Sequence, residues 1–527
     1  MRWNAVCKCC ARPACRTNLR RLGDYIVSSL KTFTVESVII IGSGLGGLEC
    51  GYILAKHGYQ VTVLEHDACI GGCLQTFRRG SAQFDTGFHY VGGLGEGQSL
   101  NALFRYFDLL DLPWQQLDAD CFDEVVIGEQ SFPFASGHAR FVERLSEYFP
   151  KQRANLQRYT NFLRQVGDHI YDSFLPRDSN EFYATSLFAR SAYQFLNETI
   201  DDPLLRKVLS GTSLKMELNA ETLPLYVFAQ INNSFIQSAW RLRGGGSLIA
   251  DRLAAKIREF GGTVRVHSTV TKLVEQDGRI AKVVVNGGET LTADWVISSA
   301  HPALTLSLLD ESRCIRRVYR NRIAGLKNSF GMFTANIRLK PEALPYLNRN
   351  IFVHRADADL WHVDTGKRVD SVLVNYAVPE GNIAYADRID LLTPMRWDEV
   401  ERWADCRVGH RGNSYVEFKN EKVEQCLQLV EQRLPDLRDA IDLVFTSTPL
   451  SYYSYTLTQE GSAYGICKDW NSPMTTVLTP RTPVQNLLLT GQSLNLHGIL
   501  GVSMTSVFTC AEILGMDTLA EAIRRCQ

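Results

Sequence analysis

Ser37–Glu65 reads SVIIIGSGLGGLECGYILAKHGYQVTVLE, and these 29 residues decide the fold. Val38–Ile41 is an apolar run of strand length, and Gly42, Gly44 and Gly47 follow it in the spacing G-x-G-x-x-G. Leu48, Tyr52 and Ala55 then recur at helical spacing until Gly58 stops the helix. Val61–Leu64 is a second apolar strand, ending on Glu65. The spacing predicts a complete βαβ unit. Gly42 permits the tight turn, Gly44 lets backbone approach a pyrophosphate, and Gly47 lets helix pack closely on strand. The helix N-terminus offers free N–H groups and a positive dipole end to phosphates. Glu65 stands 23 residues beyond Gly42, where a carboxylate can accept from both ribose hydroxyls and disfavours a 2′-phosphate. The reading is a dinucleotide site that is not an NADP site; the competing one is a glycine-rich turn without a ligand.

Two further blocks bear on which dinucleotide. Gly71-Gly72 follows Glu65 by six residues, as in the flavoprotein form of this unit. Asn486-Leu-Leu-Leu-Thr490-Gly491-Gln492 reads as an apolar strand ending in a glycine turn, followed by Gly498-Ile-Leu-Gly501 and a helical run through Val507 and Ile513. A second helix N-terminus aimed at the same ligand suits the ring end of FAD, where it would stabilise negative charge at the flavin N1/C2 oxygen. An ordinary core strand and helix is the alternative for this segment. Between them, Gly244-Gly-Gly246-Ser247-Leu248 opens a helix that Ser247 can N-cap, with an apolar face of Leu253, Ala254, Ile257 and Phe260 closed by Gly261-Gly262. Strands follow: Val270–Val274 and Ile280–Val285 flank an Asp277-Gly278 hairpin, and Asp294–Ile297 returns. Residues 100–240 read as mostly helical (Phe141–Phe149, Leu156–Val166, the aromatic-rich Phe182–Phe195). Residues 330–480 alternate strand patterns (Phe333–Leu339, Val372–Val378) with a helix from about Asn420 to Leu434.

Composition bounds the rest. Fifty-six Lys and Arg against 57 Asp and Glu give a net charge of −1, so a general nucleic-acid binder is not expected. A 45% hydrophobic and 21% charged chain of 527 residues is globular, and by length alone would divide into three or four domains. Fourteen scattered Cys, without a secretory signal, favour a reducing compartment. No apolar stretch reaches the roughly 20 residues of a membrane span. The first 34 residues are basic (Arg2, Lys8, Arg12, Arg16, Arg20, Arg21 and Lys31 against Asp24) and hold Cys7, Cys9, Cys10 and Cys15. They read as a disordered leader; a metal clip would need a fuller ligand set, and a transit peptide or lipid anchor is the weaker alternative. No metal site is expected. Cys69 and Cys73 have CxxxC rather than CxxC spacing and read as structural, and hydrolytic motifs are absent.

Phe84-Asp85-Thr86-Gly87-Phe88-His89-Tyr90-Val91-Gly92, Gly244–Leu248, the strand ending Ala300-His-Pro302, and Gly461-Ser-Ala-Tyr464-Gly465 ahead of Thr490-Gly491-Gln492 carry a family resemblance. The chain resembles the FAD-dependent phytoene desaturase, carotenoid isomerase and retinol saturase superfamily, and within it the retinol saturase (all-trans-retinol 13,14-reductase) branch, which has the His-Tyr pair. The likeness runs from about Val35 to Gly515. It implies an α/β fold: a glutathione-reductase-like, FAD/NAD(P)-binding Rossmann-type domain interleaved with an α+β substrate domain. The FAD domain would comprise residues 35–100, 240–305 and 480–527, and the substrate domain a helical part, 101–239, and a sheet part, 306–479. FAD contacts are implied at Gly42, Gly44, Leu45, Gly46, Gly47, Glu65, Gly71, Gly72, Val270, Gly491, Gln492, Gly501 and Val502. Where many flavoproteins carry an acid after the late glycine, Gln492 would offer an amide. In carotenoid-processing relatives the helical interval contacts membrane, a role Phe182, Tyr183, Phe188, Tyr193 and Phe195 could take here; an ordinary core stripe is the alternative. The expected location is cytoplasmic, peripheral to a membrane if that contact is made.

The activity so implied is saturation of one carbon–carbon bond of an apolar polyene, by hydride transfer from flavin N5 plus protonation. For the proton, His89 or Tyr90 comes first, then Tyr464 and His497, with a structural His89 as the alternative. No second GxGxxG follows a strand, so a tightly held nicotinamide domain is not indicated and the electron donor stays open, NADH or NADPH being a diffusible candidate. Carotenoid-type desaturation or isomerisation is the rival within the enzyme class, a flavin amine oxidase a more distant one. A non-catalytic, GDP-dissociation-inhibitor-like lipid-binding protein is the rival from outside it.

Overall fold

The structure, a computed structural model, describes residues 35–169, 185–309, 312–366 and 368–526. The leader cysteines, Phe182 and Tyr183 lie outside these residues. Ser37–Gln527 packs as one unit.

Its centre is a five-stranded sheet ordered Thr263–Arg265, Gln60–Leu64, Ser37–Ile41, Trp295–Ser298, Leu487–Leu489, parallel throughout. The unbroken apolar runs Val38–Ile41, Trp295–Ile297 and Leu487–Leu489 follow from burial on both faces, whereas the edge strand Thr263–Arg265 is partly exposed. Val38 and Ile40 belong to one core cluster, with the helices Leu45–Lys56, Ser247–Glu259 and Gly498–Leu514, while Ile39 and Ile41 enter another beneath Val270, Val283 and Leu306. The Asp277-Gly278 hairpin forms as the sequence indicates, with φ of 52° and 81° at its two central residues. Ser247 is not an N-cap: Gly246 holds that place, and Ser247 opens the helix with its hydroxyl accepting from Thr76.

The second sheet has seven strands, ordered Ile441–Ser447, Gly331–Leu339, Arg388–Met395, Ser371–Tyr376, Asn350–His354, Asp123–Ile127, Gln130–Phe134. Only Asn350–His354 and Asp123–Ile127 pair in parallel. The last two strands in this order fall inside the stretch read as mostly helical. Asp123–Ile127 is buried at all five positions, so it lacks the alternation that marks a half-exposed strand. Alternation divides the sheet's faces. Phe333, Val372, Val374 and Leu391 pack under the helix Asn413–Val430, whereas Met332, Phe352, Leu373 and Leu392 form the opposite face. That helix begins about seven residues before the sequence reading, because Gly412 (φ 80°) ends the preceding loop. Phe188 and Phe195 are core residues and Tyr193 packs against Trp361, so these three rings form a core stripe and not an exposed one. Among the described residues, no helix is long and apolar enough to cross a membrane.

Candidate active site

A cavity of about 550 Å³ is lined at one end by the glycine turn and at the other by Met332, Leu373 and Leu392 of the seven-stranded sheet, a volume typical of cofactor and small-ligand sites. The turn is built as its spacing requires. Gly42 has φ of 89°, and its N–H donates to the Leu64 carbonyl at 2.8 Å. A Cβ at Gly47 would overlap the Gly42 carbonyl, so Gly47 serves helix–strand packing and does not line the cavity. Gly44 does line it, in an extended conformation (φ −60°, ψ 169°). The nearest atom to a Cβ there would be Ser299 Oγ, at 3.7 Å. The protein therefore leaves that side of Gly44 open, a cradle of the shape a pyrophosphate needs.

Leu45, Gly46, Glu65, Gly71, Gly72, Val270, Gly491, Gln492 and Val502 also line the cavity. Gly501 does not: a Cβ on it would strike the Leu496 carbonyl, so its lack of a side chain serves the start of the C-terminal helix. Glu65 is buried and accepts from the Ser43 N–H (2.9 Å), the Ser43 hydroxyl (2.5 Å) and the Asp67 N–H (2.9 Å). A carboxylate has about four acceptor positions, so roughly one remains for a ribose hydroxyl where the sequence reading allowed two. Cys69 and Cys73 are both unpaired. Burial pushes the Cys73 thiol up to about 11, which keeps it protonated.

At the other end stand His89, Tyr90, Tyr464 and His497, all lining the cavity. Their hydrogen bonds are largely committed. The Tyr464 hydroxyl donates to the Leu214 carbonyl, and its ring lies 4.5 Å from that of His497. His497 Nε2–H donates to the Lys215 carbonyl at 3.1 Å. Tyr90 donates to Asp123 Oδ2 at 3.2 Å, and His89 Nδ1 accepts from Asn375 at 3.5 Å. Burial lowers His89 to about 4, with Arg241 adding to the effect. Burial likewise lowers His497 to about 4, the bond to the Lys215 carbonyl opposing it. Both imidazoles are neutral at pH 7. Burial drives Tyr90 and Tyr464 well above the ordinary phenol range. Neither imidazolium is therefore present near neutrality, and both phenols keep their protons.

The sequence reading missed Lys215 and Asp123. Lys215 lines the cavity and pairs with Asp123, Nζ to Oδ2 at 2.6 Å, with side-chain exposures of 5% and 0%. The sequence signal is slight: a single cation among Leu214, Met216 and Leu218, and an acid at the head of an apolar strand.

His89→Phe is expected to lower turnover while sparing FAD. The shape of the pH–rate profile from about pH 5.5 to 8 should match that of the unaltered protein, because no imidazolium is present there to be lost. A profile that changes shape in this range would show that His89 titrates in it.

A glycine cradle between two helix N-termini, opening on an apolar cavity, defines a flavin-dependent oxidoreductase. The family pattern of the flavin containing amine oxidoreductases matches residues 45–321, over half the chain, and the chain belongs to that family. It is 27% identical to the all-trans-retinol 13,14-reductase of Danio rerio, over 90% of this chain and 85% of the relative. It is 23% identical to a chloroplastic prolycopene isomerase 2 of an Oncidium hybrid cultivar, over 81% of this chain and 74% of that one. The fold is also that of an oxidoreductase from Methanosarcina mazei, with a TM-score of 0.59 at 17% identity, covering 89% of this chain and 98% of the other.

Proposed function

We propose that this protein saturates a carbon–carbon double bond of an apolar polyene, with FAD held in the glycine cradle and NADH or NADPH as the diffusible electron donor. The observation that carries the reading is the single cavity that joins the cradle to an apolar wall, Met332, Leu373 and Leu392. The likeness to a retinol reductase and a prolycopene isomerase, both named for polyenes, supports the substrate class.

In this reading the N–H groups at the start of Leu45–Lys56 would hold the pyrophosphate and Glu65 would take a ribose hydroxyl. Val270, Gly491, Gln492 and Val502, which line the same cavity, would complete the FAD site. Bound FAD supplies hydride chemistry that no side chain can provide. The chain orients the polyene along the apolar wall, excludes water from it, and delivers a proton.

Product analysis after anaerobic incubation with a panel of polyenes and NADH or NADPH tests the proposal. The expected product is heavier by two hydrogens at one double bond. A product lighter by two hydrogens would replace the reading with desaturation, and a product of unchanged mass with isomerisation.

A further inference from the structure

Resting on that reading, we propose that Lys215 is the acid that protonates the substrate, with Asp123 and Tyr90 as its positioning residues. Lys215 is a buried ammonium in an otherwise apolar, aromatic part of the cavity. Its Nζ lies 4.2 Å from the Phe235 ring centre, 5.4 Å from that of Tyr90 and 5.6 Å from those of Phe122 and Phe352. A cation is stabilised over ring faces, but rings do not replace hydrogen-bond acceptors. Asp123 is the one acceptor given to this ammonium by the described residues, which leaves two of its three N–H groups for a bound molecule.

The group is held from every side. Asp123 Oδ2 accepts from both Lys215 and Tyr90, while Oδ1 accepts from Asn350 Nδ2 at 2.8 Å. Asn350 Oδ1 in turn accepts from the buried Arg241 at 2.7 Å. On the other side, Tyr464 and His497 fix the backbone carbonyls of Leu214 and Lys215. Thus the residues first considered as proton donors anchor the segment that carries one.

Charge and acidity agree with this role. The titratable groups in contact with Lys215 are Asp123 at its ammonium, Tyr90 through its ring and His497 at its backbone carbonyl; Arg241 acts one step away, through Asn350, and Tyr464 through the Leu214 carbonyl. Burial pulls the ammonium below its usual value of 10.5, with Asp123 opposing the change, which brings its acidity nearer the working range than either phenol. In the step, an N–H bond of the ammonium breaks and a C–H bond forms at one alkene carbon. The hydride for the other carbon comes from reduced flavin, itself reduced by NADH or NADPH. Lys215 is left as a neutral amine beside Asp123. The amine regains its proton from water that enters the cavity once the product has left.

The test uses FAD-loaded protein with all-trans-retinol. Lys215→Met should retain FAD and bind retinol as the unaltered protein does, read from the perturbation of the oxidised flavin spectrum. Its kcat should fall by about 10²–10³-fold, and the alkaline fall in the pH profile of the unaltered protein should vanish. Lys215→Ala should regain part of its rate with added ethylammonium, which a structural role would not produce. Lys215→Met with Asp123→Asn leaves no unpaired buried charge and reports on the same step if Lys215→Met alone does not fold. A folded Lys215 variant with unchanged kcat, or Lys215→Ala indifferent to the amine, overturns the proposal alone. FAD-loaded unaltered protein that reduces no polyene overturns the functional reading and this proposal with it.

Discussion

Gly44→Val should fold and yet lose its FAD. The extended backbone at Gly44 suits a β-branched residue, and a Cβ would meet only Ser299 Oγ at ordinary contact distance. The protein thus has room for a Cβ at this position; a pyrophosphate against the same N–H groups does not tolerate one. Loss of two charge-assisted hydrogen bonds, at about 1.5–3 kcal/mol each, weakens binding by roughly two to four decades. Flavin released from the purified variant, compared with its circular dichroism, separates the two effects. Gly47→Val is the contrast: its Cβ would overlap the Gly42 carbonyl, so the expected outcome is failure to fold. A normal flavin content in Gly44→Val would refute the cradle.

The second large effect belongs to Glu49. It sits fully buried between the helices Leu45–Lys56 and Gly498–Leu514, accepting from Ser503 at 2.6 Å and Ser506 at 2.9 Å. Burial raises its carboxyl from 4.5 to about 8, against the lowering effect of both serines. The native protein therefore keeps this proton through a range in which the unfolded chain releases it. Stability from this group is complete below pH 4.5 and falls as pH rises toward about 8, at about 1.4 kcal/mol per pH unit. At pH 7 the deficit is about 3 kcal/mol. Glu49→Gln has the same shape and no charge in either state. It should be the more stable protein at pH 7–8, in urea midpoints, and the gap should close toward pH 4.5. A gap independent of pH would mean that Glu49 is ionised in the native protein.

Local chemistry was legible in the sequence where the chain supplies it within one short segment. The strand–turn–helix–strand at Ser37–Glu65 is such a segment: its spacing specifies the turn, the helix stop and the position of the acid. The Asp277-Gly278 hairpin is another. What was not legible depends on partners far along the chain. Lys215 and Asp123 are 92 residues apart, and each alone looks like an ordinary surface charge that has strayed into an apolar run. Glu49 is hidden for a related reason. Leu48, Tyr52 and Ala55 suggest a one-faced helix, but every residue from Leu45 to Ala55 is buried, so a charged residue among them needs the serines of a helix more than 450 positions away. For Tyr464 and His497, type and position suggest a proton donor, and only the fold reveals that their donor atoms are engaged by the carbonyls of Leu214 and Lys215. Gly501 likewise has the residue type of a cofactor contact and the surroundings of a packing position.

The most direct measurement follows flavin and polyene together. Purified protein carrying FAD is reduced with dithionite to its bleached form without air, and then titrated with all-trans-retinol. The account predicts that the yellow colour returns, with one flavin reoxidised for each dihydro product formed. Reduced flavin that stays bleached across a panel of polyene alcohols and carotenes, or protein that is colourless and cannot be reconstituted with FAD, would contradict it.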